Sequence, residues 1–254
     1  MKKIINLLLP LIFVIAIISC GDDNGTTDPI LDEKGALQIL SSPEGAKIYI
    51  DSVATGDVTP YTYGSKDVKE YKVKLTLDNY QDTTFTVSVL KGQTTTVNIK
   101  LTPEYVVYGP VKIWESLDPS TNHPSGLSLK LGKAYSIAQS KDSSAFNDIY
   151  YNSDGFLVVS ADNRNNNNKM TRETFFKVGS STNLSDGVAA SVKDQTWGKS
   201  IDANERNYIF LYDADGHYSK LIILEKNDPS SLTSKDGNLV VKWIYNKAEN
   251  NTSF

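Results

Sequence analysis

Apolar and polar residues alternate along much of this chain, with the period of two that is typical of β-strands with one buried face. Five stretches in the first hundred residues have this alternation: 36–40, 46–51, 71–77, 84–90 and 94–101. Residues 41–45 and 55–60 are rich in the residue types that favour turns. We therefore predict an antiparallel β-sandwich of at least five strands over residues 35–103.

Shorter strands, separated by loops, are predicted in the second half of the chain. Six runs rich in β-branched, aliphatic and aromatic residues are candidates: 126–131, 147–151, 156–160, 208–212, 219–225 and 239–245. Asp215 and Gly216 form a pair that favours a tight hairpin turn, and residues 185–192 are predicted to form a short helical turn. The expected fold class is all-β, with a small antiparallel sandwich at 35–103 followed by a larger antiparallel β-domain at 104–254.

The N-terminus combines a basic start with a short apolar run. Lys2 and Lys3 precede an apolar stretch at residues 4–18, which is shorter than the ~20 residues that a membrane-spanning helix needs. Residues 17–20, Ile-Ile-Ser-Cys, resemble the lipobox of bacterial lipoproteins. The resemblance implies that a signal peptide of residues 1–19 is removed and that Cys20 is lipidated, so that acyl chains such as palmitate hold the protein on a membrane. An uncleaved anchor helix is the alternative.

A flexible segment is predicted between the lipid and the folded part. Residues 21–28 are small, polar and acidic, a composition that stays solvated, and we expect a tether over residues 20–34. Asp22 and Asp23 resemble the export signal of surface lipoproteins in Bacteroidetes. This resemblance implies an outer-membrane location with exposure at the cell surface. An ordinary acidic linker is the alternative, and it leaves the periplasmic and surface orientations both open.

Several motifs of the first predicted domain occur in the order of a known family. They are Pro43-Glu44-Gly45-Ala46, Ile48-Tyr49-Ile50-Asp51, Thr55-Gly56, Thr59-Pro60 and Asn79-Tyr80. In this order they resemble the PEGA domain over residues 35–103. The resemblance implies a small extracytoplasmic β-domain that serves as a spacer or surface component, without established chemistry. We assign no site to Glu44, because a glutamate in a turn is usually solvated.

The second predicted domain contains a tyrosine-rich strand, a hairpin, an aliphatic strand and a strand that ends in aromatic residues. These are residues 208–212, 215–220, 221–224 and 240–245, with 126–129 and 146–151 upstream. Together they resemble the HmuY-like haem-binding lipoproteins of Bacteroidetes over residues 105–247. The resemblance implies an HmuY-like β-fold that captures haem.

Haem iron in such proteins usually takes His or Met as axial donors. After removal of the signal peptide, the only such residues are His123, Met170 and His217. The resemblance makes these three the haem-binding candidates, and we expect two of them to hold the iron. Each has an alternative interpretation: His123 as a flexible-loop residue, Met170 as a local packing residue and His217 as an exposed turn residue.

Charge and cysteine content exclude several classes of function. Without Lys2 and Lys3 the chain has 24 basic and 30 acidic residues, and a net charge of −6 gives it no electrostatic attraction to nucleic acid. A lipidated Cys20 leaves no thiol for a disulfide, a metal cluster or a nucleophile. Asp213 and Asp215 lack the further oxygen ligands of a calcium loop and are better explained by a turn. No metal site is predicted.

No catalytic motif is recognisable in the sequence, which has no HExxH, P-loop, GxGxxG or serine-nucleophile elbow. We predict a binding protein without catalytic residues, not an enzyme: a lipid-anchored extracytoplasmic protein that captures haem through its C-terminal domain. The alternative is a structural or adhesive cell-surface protein that binds glycan or protein and takes no haem. Trp114, Trp197 and Trp243 are candidates for a sugar-stacking platform, although aromatic residues of β-sandwiches lie more often in the core.

Overall fold

The computed structural model describes residues 33–117, 122–152, 154–155, 157–230 and 235–254. The predicted signal peptide, the lipidation site Cys20 and nearly all of the predicted tether lie outside these residues. Among the described residues no helix is long and apolar enough to cross a membrane. The all-β fold class is confirmed, because this part of the chain forms seventeen strands and two short 3₁₀ helices, Asp142–Phe146 and Ala161–Asn163.

Seven strands form the first domain. They are β1 (Lys34–Ser42), β2 (Lys47–Ile50), β3 (Val53–Val58), β4 (Tyr61–Asp67), β5 (Glu70–Thr76), β6 (Thr83–Ser88) and β7 (Thr94–Lys100). One sheet has the order β4-β1-β7 and the other the order β3-β2-β5-β6. Neighbouring strands are antiparallel except β1 and β7, which run parallel with Ala36 opposite Thr94 and Ser42 opposite Lys100.

The core of the first domain follows the predicted alternation. Leu37 and Ile39 of β1 are fully buried, whereas the residues between and beside them are partly exposed. The prediction of a turn over residues 55–60 was wrong for its first part, because β3 extends to Val58, and β4 was not predicted. Most side chains of β3 and β4 point to solvent. Hydrogen bonding to β2 and β1 therefore defines these strands, and no apolar alternation marks them.

Ten strands form the second domain. They are β8 (Tyr105–Trp114), β9 (Gly126–Ser128), β10 (Lys133–Tyr135), β11 (Ile149–Asn152), β12 (Leu157–Ser160), β13 (Phe175–Val178), β14 (Ser200–Asp202), β15 (Ile209–Tyr212), β16 (Tyr218–Asn227) and β17 (Asn238–Asn246). One sheet has the order β10-β9-β11-β12-β14 and the other the order β13-β15-β16-β17-β8. All six predicted strand runs contain a strand, and β8, β10, β13 and β14 are additional.

Apolar side chains fill the space between these two sheets. Trp243 on β17 is fully buried, and its Nε1 donates a hydrogen bond to the carbonyl oxygen of Leu129 at 3.0 Å, which links the two sheets. The predicted helical turn at 185–192 does not form. Asp186 instead accepts a hydrogen bond from the backbone N–H of Val188 at 3.0 Å, a local bond that competes with helix formation.

The two domains touch through the loop after β5. Asn79 accepts a hydrogen bond through its carbonyl oxygen from the N–H of Glu104 at 2.8 Å. The hydroxyl of Tyr80 accepts one from the side chain of Asn251 at 3.0 Å. Lys247 adds an ion pair with Glu104 at 3.0 Å. These contacts bring the first domain against the end of the β8–β17 pair, where the candidate site lies.

Candidate ligand-binding site

A pocket of about 370 Å³ lies where the two domains meet. We call it the junction pocket, and its lining consists of Asn79 from the first domain with Val106, Tyr108, Lys130, His217, Tyr245 and Lys247 from the second. The lining combines two ammonium groups, an amide, an imidazole and two phenol rings, and it contains no carboxylate. Such a mixture of aromatic faces and hydrogen-bonding groups is typical of ligand sites.

Strand register brings the pocket residues together. Val106 and Tyr108 lie two apart on β8 and therefore face the same side, and Val106 is opposite Tyr245 on β17. The hydroxyl of Tyr108 donates to the backbone oxygen of Lys130 at 2.8 Å, which fixes the turn after β9. The His217 ring lies 5.3 Å from the ring of Tyr245. The pocket is thus built on two long, paired strands.

Asp213 holds the hairpin that presents His217. Its Oδ1 accepts hydrogen bonds from the backbone N–H groups of Asp215 at 3.0 Å and His217 at 2.9 Å. Burial raises the pKa of the Asp213 carboxyl. Burial also raises the pKa of Tyr245, an effect that the Asp213 carboxylate increases. Asp213 and Tyr245 are only 2% and 3% exposed.

Three buried polar atoms lie in or beside the pocket without a well-formed hydrogen bond among the described residues. They are Oδ2 of Asp213, the hydroxyl oxygen of Tyr245 and Nδ1 of His217. Burial lowers the pKa of His217, and an interaction with the backbone of Asn246 opposes that shift. Tyr245 and Asp213 interact with each other, which contributes to the raised pKa of Tyr245, so these two groups partner one another beneath the pocket.

An ion-pair cluster that extends from the buried Asp148 to the exposed Asp215 supports the hairpin. Arg172 donates through Nε to Asp148 at 2.6 Å and through a terminal nitrogen to Asp215 at 2.9 Å. Asp148 also accepts a hydrogen bond from the N–H of Leu129 at 2.7 Å. Burial raises the pKa of Asp148 to about 6, although the Arg172 charge opposes that shift. The cluster connects the turn after β9 to the hairpin at 213–217.

The three sequence-predicted haem ligands lie in three separate places. His217 lines the junction pocket. His123 stacks on Trp114, with ring centres 4.2 Å apart, at the opposite end of β8; the eight residue steps from Val106 to Trp114 correspond to about 27 Å. Met170 is 2% exposed and packs in an apolar cluster with Tyr150 and other residues.

The structure does not bring together the two iron ligands that the sequence analysis expected. His123 and His217 are too far apart to share one iron, and the packed side chain of Met170 reaches neither. Of the three, His217 lines the junction pocket, and an imidazole is a usual ligand of haem iron. Lys130 and Lys247 of the same pocket fit the propionate groups of a porphyrin.

Other candidates from the sequence have structural roles. Trp197 and Trp243 are buried and do not form a surface platform. Asp215 pairs with Arg172 and Asp213 caps the hairpin, as the turn interpretation predicts. No group of three metal-ligating side chains is found within the described ranges. The sequence analysis missed the pocket residues other than His217, because strand pairing brings them together over distances for which the sequence has no local signal.

The fold defines an all-β protein of two domains. Residues 34–105 match the PEGA domain family. The match confirms the resemblance predicted for the first domain. PEGA domains are typical of extracytoplasmic proteins. No curated protein matches the chain. The likeness of the second domain to HmuY-like lipoproteins stays a prediction.

Two solved structures are distantly similar to the chain. The Bacillus anthracis TIE protein has 12% identity and a TM-score of 0.32, with 86% of this chain and 32% of that protein covered. This chain therefore spans about a third of the TIE protein's length. A DUF4466 family protein from Parabacteroides merdae has 11% identity and a TM-score of 0.37, with 84% of this chain and 85% of that protein covered.

Proposed function

We propose that the chain is a lipid-anchored extracytoplasmic binding protein, held on the outer membrane through Cys20, whose ligand enters the junction pocket. The observation that carries the proposal is the pocket itself, whose lining is drawn from both domains and combines cationic, aromatic and hydrogen-bonding groups. The PEGA-matching domain stands between the anchor and the ligand-binding domain and acts as a spacer. Binding, not catalysis, is the proposed activity.

Haem is the proposed ligand, and His217 would hold its iron. A bound haem would supply redox-active iron. The protein's part is to offer a neutral imidazole from a hairpin that Asp213 holds in place. Lys130 would pair with one propionate, and Lys247, which already forms an ion pair with Glu104, would pair with the other.

A haemin titration of the full chain, followed at the Soret band, tests this proposal. We expect a shifted, saturable band that His217→Ala abolishes. His123→Ala is the matched control, because His123 lies at the far end of β8, and its band should equal that of the wild type. A Soret shift that survives His217→Ala, or no shift with either oxidised or reduced iron, would contradict haem capture in this pocket.

The second candidate is an adhesive role in which the pocket binds a glycan. It is favoured by the rings of Tyr108 and Tyr245, because phenol rings offer flat apolar faces beside hydrogen-bonding groups. Binding of the full chain to an array of surface oligosaccharides tests it. Saturable binding without a haemin response would favour this role over haem capture.

A further inference from the structure

A second pocket lies on the other side of Lys130 from the junction pocket. It has a volume of about 260 Å³ and is lined by Ser128, Lys130, Leu131, Ala145, Phe146, Arg172 and Asp215. We call it the side pocket. His217 is not part of its lining, and Lys130 is the residue that both pockets share.

Two large apolar side chains of the side pocket face solvent. Leu131 is 52% exposed and Phe146 is 50% exposed, and Ala145 lies beside them in the lining. Single exposed apolar residues are ordinary on protein surfaces. Apolar residues that gather in one concavity indicate a binding site.

The backbone holds Phe146 in this exposed position. It ends a 3₁₀ helix and is followed by Asn147, whose buried side chain donates to the carbonyl oxygens of Ser144 at 3.2 Å and Ser136 at 3.4 Å. The ring of Tyr135 meets the Phe146 ring edge-on at 5.5 Å. The exposed ring is therefore fixed before any ligand arrives, which lowers the entropy cost of binding.

The turn that carries Leu131 is also fixed. The N–H of Gly132 donates to the carbonyl oxygen of Ser128 at 3.1 Å, and Gly132 has a φ of 69°. A side chain at this position would collide with the ring of Tyr108, because a Cβ atom would lie 2.2 Å from it. Lys130 and Leu131 consequently occupy a rigid turn.

The charges of the pocket favour an anionic ligand. The guanidinium of Arg172 is already paired with Asp148 and Asp215. Asp215 also lines this pocket, but its carboxylate is paired with Arg172 and acts on Lys130 only as a more distant charge. No ion pair of Lys130 is found within the described ranges, and its exposed ammonium is shared by the linings of both pockets. An anionic group of a ligand would therefore pair with Lys130.

We propose that the side pocket binds a small apolar carboxylate, with its hydrocarbon part on Leu131 and Phe146 and its carboxylate on the ammonium of Lys130. The pocket is smaller than the 300–1,000 Å³ of typical drug-sized sites, so the buried part of the ligand has about the size of one aromatic or branched amino-acid side chain. The ligand that carries this apolar group and carboxylate is either a free acid or the C-terminal residue of a peptide.

Titration of the full chain with phenylacetate, followed by ligand-observed NMR, tests the proposal. For a ligand of this size we expect a dissociation constant in the millimolar range. Phenylacetamide, which has the same ring without the charge, should bind about three- to fivefold more weakly. Lys130→Gln should reduce phenylacetate affinity by the same factor, and Phe146→Ser by about fivefold.

One control variant isolates the side pocket. Lys133→Gln removes a neighbouring ammonium that lies over the Tyr135 ring but does not line the pocket. This variant should bind phenylacetate as the wild type does. Absence of binding, equal affinity for phenylacetate and its amide, or binding that Phe146→Ser leaves unchanged would each overturn the proposal.

A third probe, a short peptide that ends in phenylalanine with a free carboxylate, distinguishes the two sources. Tighter binding of the peptide than of phenylacetate supports the site with peptide C-termini as its ligands. Tighter binding of phenylacetate supports the site with free acids as its ligands.

Discussion

The buried carboxyl of Asp148 should make the stability of the second domain depend on pH. Asp148 is fully buried and accepts hydrogen bonds from Arg172 and from the N–H of Leu129. Asp148→Asn keeps the size of the side chain and the acceptor for Leu129, but it removes the titrating group. Arg172 retains its ion pair with Asp215 in this variant.

The size of the effect follows from the pKa of Asp148, which burial raises to about 6 from an ordinary value of 3.8. Between these values the native state holds a proton that the unfolded chain has lost, so the free energy of unfolding falls as the pH rises. The difference corresponds to about 3 kcal/mol once the pH is above both values. About 2 kcal/mol of it should appear between roughly pH 4.5 and pH 7.5.

Urea unfolding followed by tryptophan fluorescence measures this effect. All three tryptophans, Trp114, Trp197 and Trp243, belong to the second domain, so the signal reports that domain alone. The stability of Asp148→Asn relative to the wild type should rise by about 2 kcal/mol over this pH range.

Asp142→Asn is the matched control for this experiment. Asp142 is exposed, and its hydrogen bond with Lys169 lowers the pKa of its carboxyl, so it does not titrate between pH 4.5 and 7.5 and its difference from the wild type should stay constant. A constant difference for Asp148→Asn would refute the reasoning, because it would mean that Arg172 fully compensates the cost of burying this carboxylate.

Three further variants test the packing. Trp243→Phe leaves the carbonyl oxygen of Leu129 without its donor and should cost about 2–3 kcal/mol in urea unfolding followed by circular dichroism; a loss below about 0.5 kcal/mol would contradict the buried bond. Ile39→Ala should destabilise the first domain by about 2–5 kcal/mol without moving the unfolding transition seen by tryptophan fluorescence. A shift of the tryptophan transition by the same amount would mean that the two domains unfold as one unit. Gly132→Ala, at a positive φ and against the ring of Tyr108, should cost about 1–3 kcal/mol, measured by thermal unfolding; wild-type stability would contradict the rigid turn.

The alternation of apolar and polar residues predicted the strands that bury one face. β1 and β5 follow it over their full length, and their core residues could be identified from the sequence. β3 and β4 pair through backbone hydrogen bonds while their side chains face solvent. A pattern of side chains contains no signal for such strands, which is why β3 was predicted in part as a turn.

The candidate site was predicted less well than the fold, for a physical reason. His217 was identified because histidine is rare in this chain and is a usual ligand of haem iron. Lys130 and Lys247 are ordinary surface residues in the sequence, and they meet only because β8 pairs with β17 and Tyr108 fixes the turn after β9. Distance along the chain likewise does not reveal that β8 separates His123 from His217.

The parallel pairing of β1 with β7 determines how the first domain responds to force. If the chain is anchored at its N-terminus and its second domain holds a ligand, tension enters at the Lys34 end of β1 and leaves at the Lys100 end of β7, which are opposite ends of the paired strands. The pull therefore runs along the strands, and the hydrogen bonds that join them over about 20 Å are loaded together in shear. An antiparallel pair of terminal strands would be opened one bond at a time, like a zipper. Under such a load the first domain is suited to transmit tension along the chain without unfolding.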